Sequence, residues 1–298
     1  MSAPRVLFTG ITGLLGGYFL KNSSKKFEVI GIYSKSVPGD NSNFFKVDIS
    51  NRKEVFDFVK KTRPNVIVHA ASIGNVDYCE SHPKEAKAVN IKGTQNVVDA
   101  AEKVRANIIF TSSNAIYNGI NHPFDEKSKP NPIDFYGKTK VEGENIILKS
   151  KLRYSILRLM TMYGWHQPGG RINPAVWVIE KLKNKEEINI VNDIYNNHLW
   201  AGQAAQTIWK IITGNNYETI YNVAGKDSVN RYDFALKVAK VFHLNASLIT
   251  PVTSDFFKNI AVRPKNTSFN TTKMQKELKI KPISILKGLK FMKKERND

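Results

Sequence analysis

Cysteine is almost absent. Cys79 stands alone in 298 residues, which leaves no thiol partner for an internal disulfide and no cluster for a structural zinc. An oxidising compartment is therefore not indicated, and the cytoplasm is the expected location. Long apolar runs are missing too: no window approaches the roughly 18 uninterrupted apolar residues of a membrane helix. The apolar stretch from Val6 to Leu20 is broken by Thr9, Thr12 and glycines, and it lacks the small-residue cleavage site of a secretory leader. No Pro-, Ser- or Gln-rich tract suggests a disordered region. Acid is scarce, with 26 Asp and Glu against 45 Lys and Arg and a formal charge of +19. Such an excess would fit phosphate binding by counterion release. The lysines, however, are scattered along amphipathic helices, as at Lys273, Lys276, Lys279 and Lys281, without interleaved aromatics. They read as a solvated basic surface that steers anionic substrates; no nucleic-acid partner, membrane partner or metal is expected.

What is present is core material, 41% hydrophobic and 10% aromatic. The length exceeds the usual single domain, so one large α/β domain with a smaller lobe around a cleft is expected. The first half alternates short β-branched runs with helical patterns: strands at 5–9, 28–33, 44–47, 66–70 and 107–113, and helices at 14–21, 53–62 and from Pro83 through Ala101. Such alternation implies parallel pairing through right-handed crossovers. A helix beginning near Asp134, a strand over 154–163, a helix over 174–183, a strand over 188–191 and helices over 204–212, 231–244, 273–278 and 285–293 follow. The fold class is a Rossmann-type doubly wound parallel sheet with a smaller C-terminal α/β lobe, divided at 1–164 and 165–298, with segments near 188–225 returning to the first domain.

The first strand runs into Gly10-Ile11-Thr12-Gly13-Leu14-Leu15-Gly16. Glycines there permit a tight turn and let backbone approach a pyrophosphate, which sits on the helix N-terminus. Gly10, Thr12, Gly13, Leu14 and Leu15 are thus candidates for dinucleotide contact; the alternative is a turn used only for packing. The second strand ends Tyr33-Ser34-Lys35 with no acid. An acid beside a 2′-phosphate would repel it by roughly 4 kcal/mol at an effective dielectric near 20, so its absence favours NADP(H) over NAD(H). Lys35 could equally be a solvated loop lysine. Asp48-Ile49 is placed to meet the adenine, or Asp48 caps the following helix. His69-Ala70-Ala71 closes the fourth strand with small residues that let a cofactor lie close; His69 itself reads as a packed strand residue.

Tyr136 and Lys140 stand at i and i+4 on one helix face. A carbonyl that receives hydride must also receive a proton, and a phenol serves when a cation stabilises its phenolate. Ser113, at a strand end, could hold the substrate oxygen in register. Alone, such a Tyr-Lys pair would be a common surface feature; the glycine turn and the upstream serine give it meaning.

These residues resemble the extended short-chain dehydrogenase/reductase family, most closely its dTDP-4-dehydrorhamnose reductase-like branch. The likeness is carried by 9–16, His69-Ala70-Ala71, 76–80 with Pro83, 110–117, 131–140 with Gly143-Glu144, Leu157-Arg158 with Tyr163-Gly164, and 263–266. The resemblance implies NADPH-dependent reduction of a nucleotide-activated 4-keto-6-deoxy sugar, with Tyr136 as proton donor, Lys140 binding the nicotinamide ribose and lowering the phenol's pKa, and Ser113 in the Ser/Thr role. Asn90 would support a proton relay or serve as a helix-helix tether. Ser72, Asn114, Trp165, His166, Asn173 and Arg263 are its substrate candidates; a guanidinium suits a diphosphate, and a salt bridge is the other reading of Arg263. A homodimer is also implied. Two departures matter: Ala115 stands where the epimerising GDP-fucose synthases carry Cys, and Asn197-His198-Leu199 replaces a Ser-Pro-Thr-like turn. Alternative readings are a nucleotide-sugar 4-epimerase with bound NAD, and a non-catalytic NADP-binding regulatory subunit like methionine adenosyltransferase β.

Overall fold

The computed structural model describes residues 3–35, 42–258 and 261–296. Seven parallel strands form the central sheet, in the order Thr219–Val223, Tyr154–Leu159, Asn107–Ser113, Val66–His69, Arg5–Thr9, Glu28–Tyr33, Phe44–Lys46. The order reverses between Arg5–Thr9 and Val66–His69, which pair from Val6↔Val66 to Thr9↔His69. A crevice opens beyond the carboxyl ends of strands at such a switch point. Both faces are covered. One core contains Phe8, Phe19, Leu157, Ile208 and Leu289, the other Leu7, Ile67, Val97 and Ile156. Central strands buried on both sides explain the near-continuous apolar runs of the sequence.

Two expected elements differ, and two others were not expected. The run over 154–163 is two strands: Tyr154–Leu159 stays in the central sheet, while Met162–Tyr163 pairs with Leu199–Trp200 in a separate ribbon. The long helix after Pro83 is interrupted by a π-helical turn at Ala88–Lys92 before resuming as Gly93–Val104. Asn90 lies in that turn, and its amide bonds both backbone groups of Ile73 as well as Thr139 Oγ1. That demand on one side chain accounts for the local rewinding, which is common at functional sites. Finally, Thr219–Val223 and the short Val76–Ser81 helix were not anticipated.

Outside the central sheet, Ile188–Val191 pairs in parallel with Ile249–Val252, and Tyr195–Asn196 pairs with Val229–Asn230. Among the described residues, no helix is long and apolar enough to cross a membrane.

Candidate active site

The glycine-rich turn occupies the switch point. Gly10 adopts φ +76°, a left-handed conformation open mainly to glycine, and a Cβ there would lie 3.0 Å from Ala71 Cα. Thr9 Oγ1 accepts the N–H groups of Ala70 and Ala71 at 3.1 and 3.0 Å. It must therefore donate its own proton to His69 Nδ1, 2.8 Å away. His69 Nε2–H then donates to Thr94 Oγ1 at 3.0 Å, which donates to the Asn90 carbonyl at 2.7 Å. Burial holds His69 neutral, its pKa pushed down to about 3. This chain of hydrogen bonds locks the two walls of the cleft together and leaves His69 structural.

That cleft is lined by Gly10, Thr12, Gly13, Tyr33, Ser34, Lys35, Asp48, Ile49, Ala70 and Ala71, so the structure gathers these ten candidates around one opening. Ser72, expected at the substrate, lines it as well. Leu14 and Leu15 do not: their side chains pack into the core, and only backbone N–H groups at the helix start remain for a ligand. Asp48 does not cap the next helix. Asn51 does, accepting from Glu54 N, while Asp48 accepts from Ser50 N and Oγ. Lys35 is mostly exposed and pairs with Glu85 at 3.3 Å. Glu85 is an unanticipated acid in the lining; hydrogen bonding from Tyr78 and then Lys35 holds its carboxyl below the usual range.

The helix that carries the Tyr-Lys pair spans Phe135–Lys149 and is capped by Asp134, whose Oδ1 accepts Gly137 N–H at 2.7 Å. Tyr136 lies close enough to the Ser113 hydroxyl for that group to bear on the phenol. Ser113 Oγ also accepts Ala115 N–H at 3.2 Å, so its own proton is available to the phenol oxygen. Burial dominates at Tyr136 and pushes its pKa up to about 12, against the lowering effect of the nearby Ser113 hydroxyl. This corrects the expectation of a lowered phenol pKa: the side chain stands as a protonated acid. Lys140 is 3% exposed, with Nζ 4.7 Å from the Phe110 ring centroid and 6.0 Å from that of Tyr136. Burial pushes its pKa down to about 8, opposed by Glu144. Ser113, Tyr136 and Lys140 are thus neighbours at one end of the sheet.

The substrate candidates scatter. Asn114 donates to Thr267 Oγ1 at 2.7 Å. Trp165 donates its indole N–H to the Met292 carbonyl beneath Arg296, which makes it an anchor for the C-terminal helix. Asn173 caps the Pro174–Lys183 helix and bonds Gly164. His166 Nδ1 is buried without a hydrogen-bond partner. Arg263 realises its salt-bridge reading, donating through Nη2 to both Asp77 oxygens at 2.9 Å.

Two arginines were missed. Arg231, at the start of its helix, has its pKa pushed down to about 10 by burial and by the Arg263 charge, and no hydrogen bond or ion pair of its guanidinium is seen among the described residues. Arg171 lies close enough to Tyr136 and Asp77 for its charge to bear on both. A sequence gives no sign of such convergence, since one arginine follows a helix cap and the other sits in a glycine loop.

A dinucleotide fold with a tyrosine and lysine one helical turn apart beside a strand-end serine is the architecture of the extended short-chain dehydrogenases/reductases, and this chain is of that class. The RmlD substrate binding domain family matches residues 4–297, and the chain belongs to that family. It is similar to the dTDP-4-dehydrorhamnose reductase of Aggregatibacter actinomycetemcomitans, 28% identical over 96% of this chain and 97% of the relative. Methionine adenosyltransferase 2 subunit beta of Bos taurus is 26% identical over 91% of this chain and 81% of its own. Among solved structures, dTDP-4-dehydrorhamnose reductase from Bacillus anthracis in complex with NADP aligns with a TM-score of 0.89 and 26% identity, covering 99% of this chain and 100% of that one.

Proposed function

We propose that the protein is an NADPH-dependent reductase of a nucleotide-activated 4-keto-6-deoxy sugar. The observation that carries this reading is the gathering of Tyr136, the Ser113 hydroxyl and the buried ammonium of Lys140, whose Nζ lies 6.0 Å from the Tyr136 ring centroid. The residues of the cleft fit a dinucleotide: a Cβ at Gly10 would fill the space between the glycine turn and Ala71, and the helix N-terminus offers free N–H groups to a pyrophosphate. Lys35 supplies a cation where a 2′-phosphate would sit, and Glu85 is held by Lys35 and Tyr78. NADP bound to the Bacillus anthracis relative supports the same choice.

When bound, the cofactor supplies the hydride equivalent. Tyr136 gives its phenolic proton to the substrate's carbonyl oxygen as that oxygen gains charge, and Ser113 donates a hydrogen bond that holds it in register. Lys140 stabilises the phenolate left on Tyr136 and binds ribose hydroxyls. A protonated tyrosine suits the reductive direction, because the acid is already loaded. Arg231, whose guanidinium makes no hydrogen bond or ion pair among the described residues, and Arg263, once released from Asp77, would receive the diphosphate. Purified protein should oxidise NADPH in the presence of a dTDP- or UDP-4-keto-6-deoxy sugar.

The likeness to methionine adenosyltransferase 2 subunit beta favours a second reading, a non-catalytic partner subunit. It predicts a stable complex in pull-downs whose function survives Tyr136→Phe. An epimerase would instead release NAD on denaturation.

A further inference from the structure

The segment from Trp165 to Asn173 is pinned at both ends. Trp165 is held by the Met292 carbonyl and by Arg296, which lies 4.2 Å from its ring centroid. Asn173 Nδ2 donates to the Gly164 carbonyl at 2.7 Å. Between these anchors the segment touches both rims of the cleft. Gln167 Nε2 donates to the Ile11 carbonyl at 2.8 Å and to that of Gly13 at 3.5 Å, both in the glycine turn. Arg171 Nη1 donates to the Gly74 carbonyl at 2.6 Å, immediately beyond Ser72 and Ile73 of the opposite wall.

Little else fixes the middle. Gly169 has φ +70° and nothing within 4 Å of where a Cβ would stand, and Gly170 N–H closes a turn onto the Gln167 carbonyl at 2.9 Å. A stretch with so few packed contacts opens at low free energy, so two side-chain hydrogen bonds decide whether it stays across the cleft. Arg171 spends one donor on Gly74 and keeps others for an anion.

We propose that residues 165–173 form a strap across the dinucleotide cleft, with Gln167 and Arg171 as positioning residues that clasp it to the two rims, so that dinucleotide release waits on strap opening. The inference rests on the reading that this cleft takes NADP(H). Gln167 steadies the turn whose backbone faces the pyrophosphate, and Arg171 ties the segment to the far wall.

Stopped-flow fluorescence of NADPH with the full chain tests it. Gln167→Ala and Arg171→Ala should each speed dissociation about five- to tenfold, the effect of losing one hydrogen bond, while association changes less than about twofold. The double variant should exceed either single one. Dissociation rates equal to wild type in both single variants overturn the strap, as does a change confined to association, which would mean only electrostatic steering. Wild-type protein that binds no NADPH overturns the strap together with the cofactor reading; NADPH binding with unchanged dissociation in the variants overturns the strap alone.

Discussion

Glu144 accepts two hydrogen bonds from the Arg158 guanidinium, Nε to Oε1 at 3.0 Å and Nη2 to Oε2 at 2.8 Å, with both side chains 4% exposed. Arg158 also donates to Tyr117 Oη at 2.7 Å and to the Glu126 carbonyl at 3.2 Å. The pair ties the Phe135–Lys149 helix to the Tyr154–Leu159 strand. Glu144 also acts on Lys140, one turn earlier, but a carboxylate shared with a guanidinium offsets only part of the burial that disfavours the ammonium.

Glu144→Gln should therefore destabilise the protein by about 3–5 kcal/mol, since Arg158 is left buried without its counter-ion. Urea denaturation measures it. A loss under about 1 kcal/mol would mean that solvent reaches the pair.

Lys140→Met should raise Tm by a few degrees at pH 7 while abolishing reduction, since it removes a buried charge that has no ion pair among the described residues. The pH dependence has a definite sign. The folded-state pKa, about 8, lies below the ordinary 10.5, so between those values the unfolded chain binds the proton more tightly and Lys140 makes stability rise with pH. The Tm advantage of Lys140→Met should accordingly shrink from pH 8 to pH 10.5. Above pH 10, Tyr136 acts in the opposite sense, because its folded pKa of about 12 exceeds the model-peptide value of about 10. A Tm gap that is constant with pH contradicts this assignment.

Gly137→Ala should lower kcat about 100-fold with the fold retained. A Cβ there would stand 2.1 Å from the Ala115 carbonyl oxygen, so the catalytic helix must shift from the turn after Ser113, and a displacement near 1 Å has that order of effect. Steady-state kinetics beside circular dichroism check it; wild-type kcat would show that the helix does not set the Tyr136–Ser113 geometry.

Tyr33→Asp should move preference toward NADH, by placing a second acid near Glu85 where a 2′-phosphate would lie. The ratio of kcat/KM for NADPH and NADH reads it out. An unchanged ratio puts the adenine ribose elsewhere.

The parallel sheet and its glycine turn were legible because strands such as Val66–His69 are buried throughout and read as apolar runs, while Gly10 and Asp134 mark element ends. Thr219–Val223 was not legible: Asn222 interrupts its apolar pattern, and what makes it a sheet strand is its parallel pairing with the distant Tyr154–Leu159, with Asn222 held by Glu126 Oε1 and the Phe124 carbonyl. The π-helical turn was hidden for a similar reason, since Asn90 is drawn toward Ile73 and Thr139 from other elements. In the site, local spacing made Tyr136 and Lys140 readable. The arginines around Asp77 come from three distant segments, and no local pattern reports that they meet.

The most direct test of the central claim follows NADPH absorbance with a 4-keto-6-deoxy sugar nucleotide, comparing wild type with Tyr136→Phe. The account predicts turnover by the wild type and a loss of about 10²–10⁴-fold in the variant with NADPH affinity retained. Equal rates in the two proteins, or NADPH binding without turnover of any keto sugar nucleotide, would contradict it.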